Sequence, residues 1–279
     1  MVMQFGTWNL CTVLQAGNMN VKAEEAERCK MDVVALQEIC WKGKGSIRKL
    51  KFTLHYSGNE DRHGNRGVGF IDSKKASRSV LGFSHICERI CTLRIKGKFH
   101  NITFVNVYVP TEATEDEIVD EFYEILQSVC DELPKHDAII TLGHFNTKLG
   151  KEQIYKDITG RHRLHEVTNN NGLILVQYAT TNNFKVLSTW YPRKNIPKGT
   201  WKIRGTNDAK QIDHILMSKK WLKILKIFEH TEELTQALTI SWLELDLNRG
   251  SLITRNKTEN HKRWNVNKFD EIYVECYYQ

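Results

Sequence analysis

Short runs of β-branched and aliphatic residues alternate along this chain with longer segments whose apolar positions recur every three to four residues. Residues 31–37 (MDVVALQ) have the character of a buried strand, and the amphipathic stretch 21–30 before them reads as a helix. Residues 102–109 (ITFVNVYV) are rich in β-branched and aromatic side chains and stop at Pro110. Thr114 and Glu117 then have the spacing of a capping box, with acids in the first helical turn. The helix that follows is expected to place Ile118, Phe122, Ile125, Leu126, Val129 and Leu133 on one face. Strands are expected again at 138–142, 186–190, 211–217 and 241–247. This order predicts an α/β domain with helices packed over sheets. No repeat, low-complexity tract or Pro/Ser-rich linker divides the chain, so residues 1–250 read as one domain and 251–279 as a polar tail.

Composition narrows the class. Hydrophobic residues make up 41% and aromatics 10% of the 279 residues, which argues against disorder. No apolar run approaches the roughly 18 residues a membrane helix needs. The first ten residues lack the charged start and apolar run of a secretory signal. The seven cysteines are odd in number and form no C-x-x-C pair, so they read as reduced thiols of an intracellular protein, nuclear or cytoplasmic.

The formal charge is +7 although residues 112–124 hold seven acids and no base. That acidic helix reads as a solvated outer face. Positive charge concentrates in two acid-free segments, Lys42, Lys44, Arg48, Lys49 and Lys51, then Arg193, Lys194, Lys198, Lys202 and Arg204. Such clusters suit a polyphosphate backbone, and a solvated basic surface is the alternative on charge alone.

Polar residues at the ends of apolar strands are where α/β proteins build sites. Here the strand ends read Thr7-Trp8-Asn9, Leu36-Gln37-Glu38, Asn106-Val107-Tyr108, Gly143-His144-Phe145-Asn146 and Gln211-Ile212-Asp213-His214. In this order and spacing the chain resembles the endonuclease/exonuclease/phosphatase family, and within it the endonuclease domain of RTE-type non-LTR retrotransposons. The likeness runs from about Phe5 to Leu247 and includes GTWN, GNRGVGF and KGTWKIRGTNDAKQIDHIL. It implies a four-layer α/β/β/α sandwich of the DNase I-like type, with the site at one edge.

The resemblance also implies metal-assisted phosphodiester hydrolysis, in which a transition-state charge is neutralised and a water deprotonated. Glu38 matches the metal-binding carboxylate, suited to Mg²⁺ or Mn²⁺, and Asn9 the amide that orients the metal shell. Tyr108 matches the phenol aimed at the scissile phosphate and Asn146 an amide donor beside it. Asp213 matches the carboxylate that orients a catalytic histidine. Three positions depart from the pattern. The aspartate of the family's G-D-F-N is His144, and the family's terminal S-D-H has Thr239-Ile240-Ser241 as its counterpart, so Ile240 and Ser241 replace an aspartate and a histidine.

Losing one positioned base or donor costs about 10²–10⁴ in rate. Two readings follow. One is a retroelement-derived, apurinic-endonuclease-like domain impaired in catalysis that retains binding to duplex DNA. The other is an active Mg²⁺-dependent endonuclease in which His144 serves as the base. Phosphatase action on inositol lipids is a distant third. His214, next to Asp213 on one strand, is expected on the opposite face of its sheet.

Overall fold

The computed structural model describes residues 2–10, 18–60, 66–190, 201–202, 209–226 and 240–246. For 2, 18, 201–202, 209, 223–226 and 240–246 the description extends to the backbone only. The strands are β1 (Val2–Asn9), β2 (Val33–Gln37), β3 (Lys44–Arg48), β4 (Phe52–Ser57), β5 (Val68–Ser73), β6 (Val80–Cys87), β7 (Ile90–Ile95) and β8 (Ile102–Tyr108). They continue with β9 (Ala138–His144), β10 (Phe184–Val186), β11 (Trp201–Lys202), β12 (Ala209–Lys210), β13 (Asp213–Ser218), β14 (Leu225–Lys226) and β15 (Ile240–Asp246). A seven-stranded sheet runs β14-β15-β1-β2-β5-β4-β3, and a six-stranded sheet runs β10-β13-β9-β8-β7-β6. Within them β1–β2 and β8–β9 are parallel and the other pairs antiparallel.

Strand alternation produces the layers. Met3 and Phe5 of β1, Val33 and Ala35 of β2, Ile102 and Phe104 of β8, and Ile215 and Met217 of β13 fill one core between the two sheets. The opposite face of the first sheet, with Trp8, Val34 and Leu36, packs against Met19, Ala23 and Ala26 of helix α1 (Asn18–Arg28). The second sheet turns Val105 and Val107 outward. They meet two of the helices numbered α2 (Lys74–Ser77), α3 (Asp116–Glu132), α4 (Lys156–Thr159) and α5 (Asn170–Thr181), namely α3 and α5. Three apolar interfaces therefore separate four layers, the α/β/β/α sandwich.

Several local expectations need correction. The buried face of α3 is Val119, Phe122, Tyr123, Leu126, Val129 and Cys130, while Ile118 and Ile125 are exposed. The apolar arc is broad, and the sheet takes the half that includes the aromatic pair. No capping box forms: Glu115 is the N-cap without a side-chain cap bond, and the Thr114 hydroxyl meets that of Thr111 instead. The strand expected at 186–190 ends at Val186. Leu187–Thr189 turns as a 3-10 helix, and the Trp190 indole donates to the Ile158 carbonyl. The stretch 251–279 lies outside the described residues.

Candidate active site at the sheet ends

The same alternation that fills the central core changes character at one end of the sandwich. Past the last apolar pair, the inward positions become Thr7 on β1, Gln37 on β2 and Asn106 on β8, all fully buried. Thr7 Oγ1 donates to Gln37 Oε1 at 3.1 Å, and Gln37 Nε2 donates to Asn106 Oδ1 at 2.6 Å. Asn106 Nδ2 donates across the interior to the carbonyls of Leu36 (2.9 Å) and Gly69 (2.7 Å) in the opposite sheet. This polar layer closes the core and carries the next layer of side chains.

Two residues further along the same face come Asn9, Tyr108 and His144, with Asp213 opening β13. Register brings them together: Tyr108 pairs with His144 across β8–β9, and His144 pairs with Asp213 across β9–β13. Glu38 follows the last residue of β2 with φ +57°, and Asn146 has φ +51°. Both sit in the left-handed region, where asparagine is tolerated and glutamate is held only by its surroundings. Gly143 permits the close approach of β9 to β8, since a Cβ there would lie 2.0 Å from the Val107 carbonyl oxygen.

Two groups share this end. In the first, Glu38 Oε1 accepts from Asn9 Nδ2 at 2.9 Å and from the Tyr108 hydroxyl at 3.0 Å. Burial, reinforced by the Glu38 carboxylate, raises the Tyr108 phenol above its ordinary range, so it remains a donor. In the second, His144 Nδ1 lies 2.8 Å from Asp213 Oδ1, and its Nε2 lies 3.0 Å from Asn146 Oδ1. Asn146 Nδ2 donates to the Val109 carbonyl at 2.8 Å, which fixes the amide so that its oxygen faces His144. Both ring nitrogens therefore face acceptors, the environment of an imidazolium. Burial of His144 favours its neutral form, but the Asp213 charge, with its hydrogen bond, and the more distant Glu38 charge outweigh this and raise its pKa. The Tyr108 and His144 rings lie 5.8 Å apart and join the two groups.

Sequence reasoning missed Arg89. It sits in the two-residue turn between β6 and β7, donates to the Tyr108 carbonyl at 3.0 Å, and stacks 5.1 Å from the Tyr108 ring. Burial lowers its pKa from the ordinary guanidinium value. The turn is legible in the sequence, but its position beside β8 depends on sheet pairing. His214 is fully buried on the other face, with Nδ1 2.9 Å from the Ser188 hydroxyl.

The oxygen donors of Glu38 and Asn9 fit a hard divalent ion. Mg²⁺ uses one or two carboxylates and completes its shell with water and substrate phosphate. Among the described residues no cluster of three or more His, Cys, Asp and Glu side chains has metal-binding geometry. Ile240 pairs with Trp8 and Ser241 with Thr7 on the β15–β1 ladder, and their side chains lie outside the described residues. Lys42, Lys44, Arg48 and Lys49 are exposed along the β3 edge, where Lys44 also meets Glu60 at 3.3 Å. Lys202 is described by its backbone alone, and Arg193, Lys194, Lys198 and Arg204 lie outside the described residues. Among the described residues no helix is long and apolar enough to cross a membrane.

No family model matches the sequence. Craniofacial development protein 2 of Bos taurus is 30% identical over 216 residues, 77% of this chain and 36% of that protein. The chain spans little more than a third of the length of the curated relatives it matches, 36% and 37%. The endonuclease domain of TRAS1, a telomere-specific non-LTR retrotransposon, superposes with TM-score 0.59 at 13% identity, covering 89% of this chain and 100% of that one. An AP endonuclease from Archaeoglobus fulgidus gives TM-score 0.60 at 15% identity, covering 88% and 100%. The Neisseria 3′ phosphatase NExo, bound to a product DNA hairpin, gives TM-score 0.55 at 16% identity, covering 88% and 98%. In fold this chain is a DNase I-like α/β/β/α sandwich, and it resembles the endonuclease/exonuclease/phosphatase family.

Proposed function

We propose that this chain is a retroelement-derived, apurinic-endonuclease-like phosphodiesterase domain that is impaired in catalysis and retains binding to duplex DNA. One observation carries the reading: His144 is held between the Asp213 carboxylate and the Asn146 amide oxygen. A general base needs an open lone pair, and this ring has acceptors on both nitrogens. Asp213 is engaged by the same ring, so among the described residues no second carboxylate takes the place of the aspartate that His144 replaces.

The remaining groups suit phosphate. Tyr108 and Asn146 are donors at the mouth of the site, and Arg89 holds the Tyr108 backbone in place. A divalent ion held by Glu38 and Asn9 would supply the Lewis acidity that neutralises phosphate charge. Duplex binding is assigned to Lys42, Lys44, Arg48 and Lys49 together with Arg193, Lys194, Lys198, Lys202 and Arg204, as phosphate contacts. The fold shared with TRAS1 and with the DNA-bound Neisseria phosphatase supports this assignment.

The experiment is nicking of supercoiled plasmid in Mg²⁺ and in Mn²⁺, beside a Glu38→Ala control, with DNA binding measured on the same preparation. Binding with cleavage near background is the expected result. Robust Mg²⁺-dependent nicking abolished by Glu38→Ala would instead make the chain an active endonuclease.

A further inference from the structure

A second constellation lies away from the site described above, at the edges of the two sheets formed by β3 and β6. Ser46, His55 and Asp72 sit on three adjacent strands and face the interior side of the first sheet. Ser46 pairs directly with His55 across β3–β4, and Asp72 is the diagonal neighbour of His55 across β4–β5. Ser46 Oγ lies 2.6 Å from His55 Nδ1, and His55 Nε2 lies 2.8 Å from Asp72 Oδ1. The His55 ring is stacked on Phe83, with centroids 5.1 Å apart and planes inclined by 28°.

Burial is graded along this line. Asp72 is fully buried, His55 is 7% exposed, and Ser46 is exposed. Within the described residues neither Asp72 carboxylate oxygen nor His55 Nε2 has a hydrogen-bond partner, so the 2.8 Å approach between them is a close contact of charge and ring and not an aligned hydrogen bond. A buried carboxylate leaning on one imidazole is a poor way to fill a core position, which an aliphatic side chain would fill without desolvating a charge. It is a good way to fix a tautomer. The Asp72 charge beside Nε2 favours the ring proton on that nitrogen, which leaves Nδ1 to accept from the Ser46 hydroxyl.

A shallow, open depression of about 490 Å³ lies over Ser46 and His55, bordered by Val80, Leu81 and Phe83 of β6 and by Arg48. The ladder also sets the backbone. Lys49 N donates to Phe52 O and Gly58 N to Gly43 O, so by alternation the N–H of Ser46 points to the open edge of the sheet. A donor on the nucleophile's own residue is well placed for a developing oxyanion.

We infer that Ser46, His55 and Asp72 form a second active site, hydrolysing small carboxylic esters whose acyl group packs on Val80, Leu81 and Phe83. Ser46 Oγ attacks the ester carbonyl carbon while His55 Nδ1 takes its proton. The C–O bond to the alcohol then breaks, His55 returns the proton to the leaving oxygen, and an acyl–Ser46 ester remains. Water attacks that ester with His55 again taking a proton, and the acid leaves as Ser46 recovers its hydrogen. Ser46 and His55 are the catalytic residues and Asp72 is a positioning residue.

The test uses the full chain with p-nitrophenyl butyrate and a fluorophosphonate probe. Wild-type protein should be labelled at Ser46, as read by peptide mass spectrometry, and labelling should be lost in His55→Gln. Ser46→Ala, a change at an exposed edge position, should lower kcat/KM about a hundredfold with an unchanged melting curve. Asp72→Asn should lower kcat with KM unchanged, whereas a purely structural role would degrade both together with the melting temperature. Failure of the probe to modify Ser46 in a folded wild-type sample would overturn the assignment. So would a Ser46→Ala variant that hydrolyses the ester at the wild-type rate.

Discussion

Replacing Asp213 by asparagine tests the charge state at the sheet ends. Asp213 is fully buried and His144 is 5% exposed, with 2.8 Å between their nearest atoms. Removing one partner of a buried ion pair costs about 3–5 kcal/mol when the other charge has no escape. His144 does have one, because it can release its proton, and an asparagine oxygen can accept from the neutral ring. The cost is therefore set by pH. In the wild type the His144 pKa is raised on folding, so the folded state binds more protons and the pair contributes fully below the unfolded value near 6.5. That contribution fades as pH rises through the folded value. Asp213→Asn should then cost about 3 kcal/mol at pH 6 and about 1 kcal/mol near pH 9. For a domain of this size that corresponds to a fall in Tm of roughly 6–12 °C at the lower pH and roughly 2–4 °C at the higher. Thermal melts by circular dichroism across pH 6–9 give the comparison, and ring-nitrogen chemical shifts of His144 give the protonation state directly. A destabilisation that is flat or grows with pH would refute the reasoning, as would a neutral His144 ring in wild-type protein at pH 7.

Restoring the missing groups with His144→Asp, Ile240→Asp and Ser241→His should raise plasmid nicking in Mg²⁺ well above wild type. The triple variant should also exceed the product of the separate gains, because such groups act as a unit; a folded but silent triple variant would locate the defect elsewhere. Charge reversal of Lys42, Lys44, Arg48 and Lys49 to glutamate should weaken duplex binding and flatten its salt dependence, and affinity constant between about 50 and 200 mM salt in the wild type would contradict phosphate contacts. Asn106→Ala strands the Leu36 and Gly69 carbonyls and the Gln37 amide. It should cost about 3–5 kcal/mol in urea unfolding, and a loss under about 1 kcal/mol would mean that water replaces the side chain.

Much of the sandwich is legible in the sequence because its central strands are long apolar runs with clear ends. β2, β8, β9 and β13 lie within two residues of where the pattern predicts them. The edge strands are harder. Lys44–Arg48 is almost wholly exposed, so no apolar alternation marks it, and only pairing with β4 makes it a strand. On α3 the apolar arc is wider than the contact, and the packing partner decides which half is used. At the site, strand ends could nominate Asn9, Glu38, Tyr108, His144, Asn146 and Asp213 one at a time. That Asp213 grips His144 could not be read, since the contact spans 69 residues and depends on one register of β9 against β13. A shift of a single residue would have turned the carboxylate to the other face.

The buried tie made by Asn106 has a consequence for how this sequence can change. It joins the sheets one layer beneath the reactive end, through two backbone carbonyls that any residue would supply. The side chains above it are thereby released from holding the sandwich together. On the function proposed above, a lineage released from selection for strand cleavage can replace an aspartate with His144 without losing a foldable scaffold. Divergence should accordingly concentrate above the tie, while Asn106 and its hydrogen-bond partner Gln37 change last.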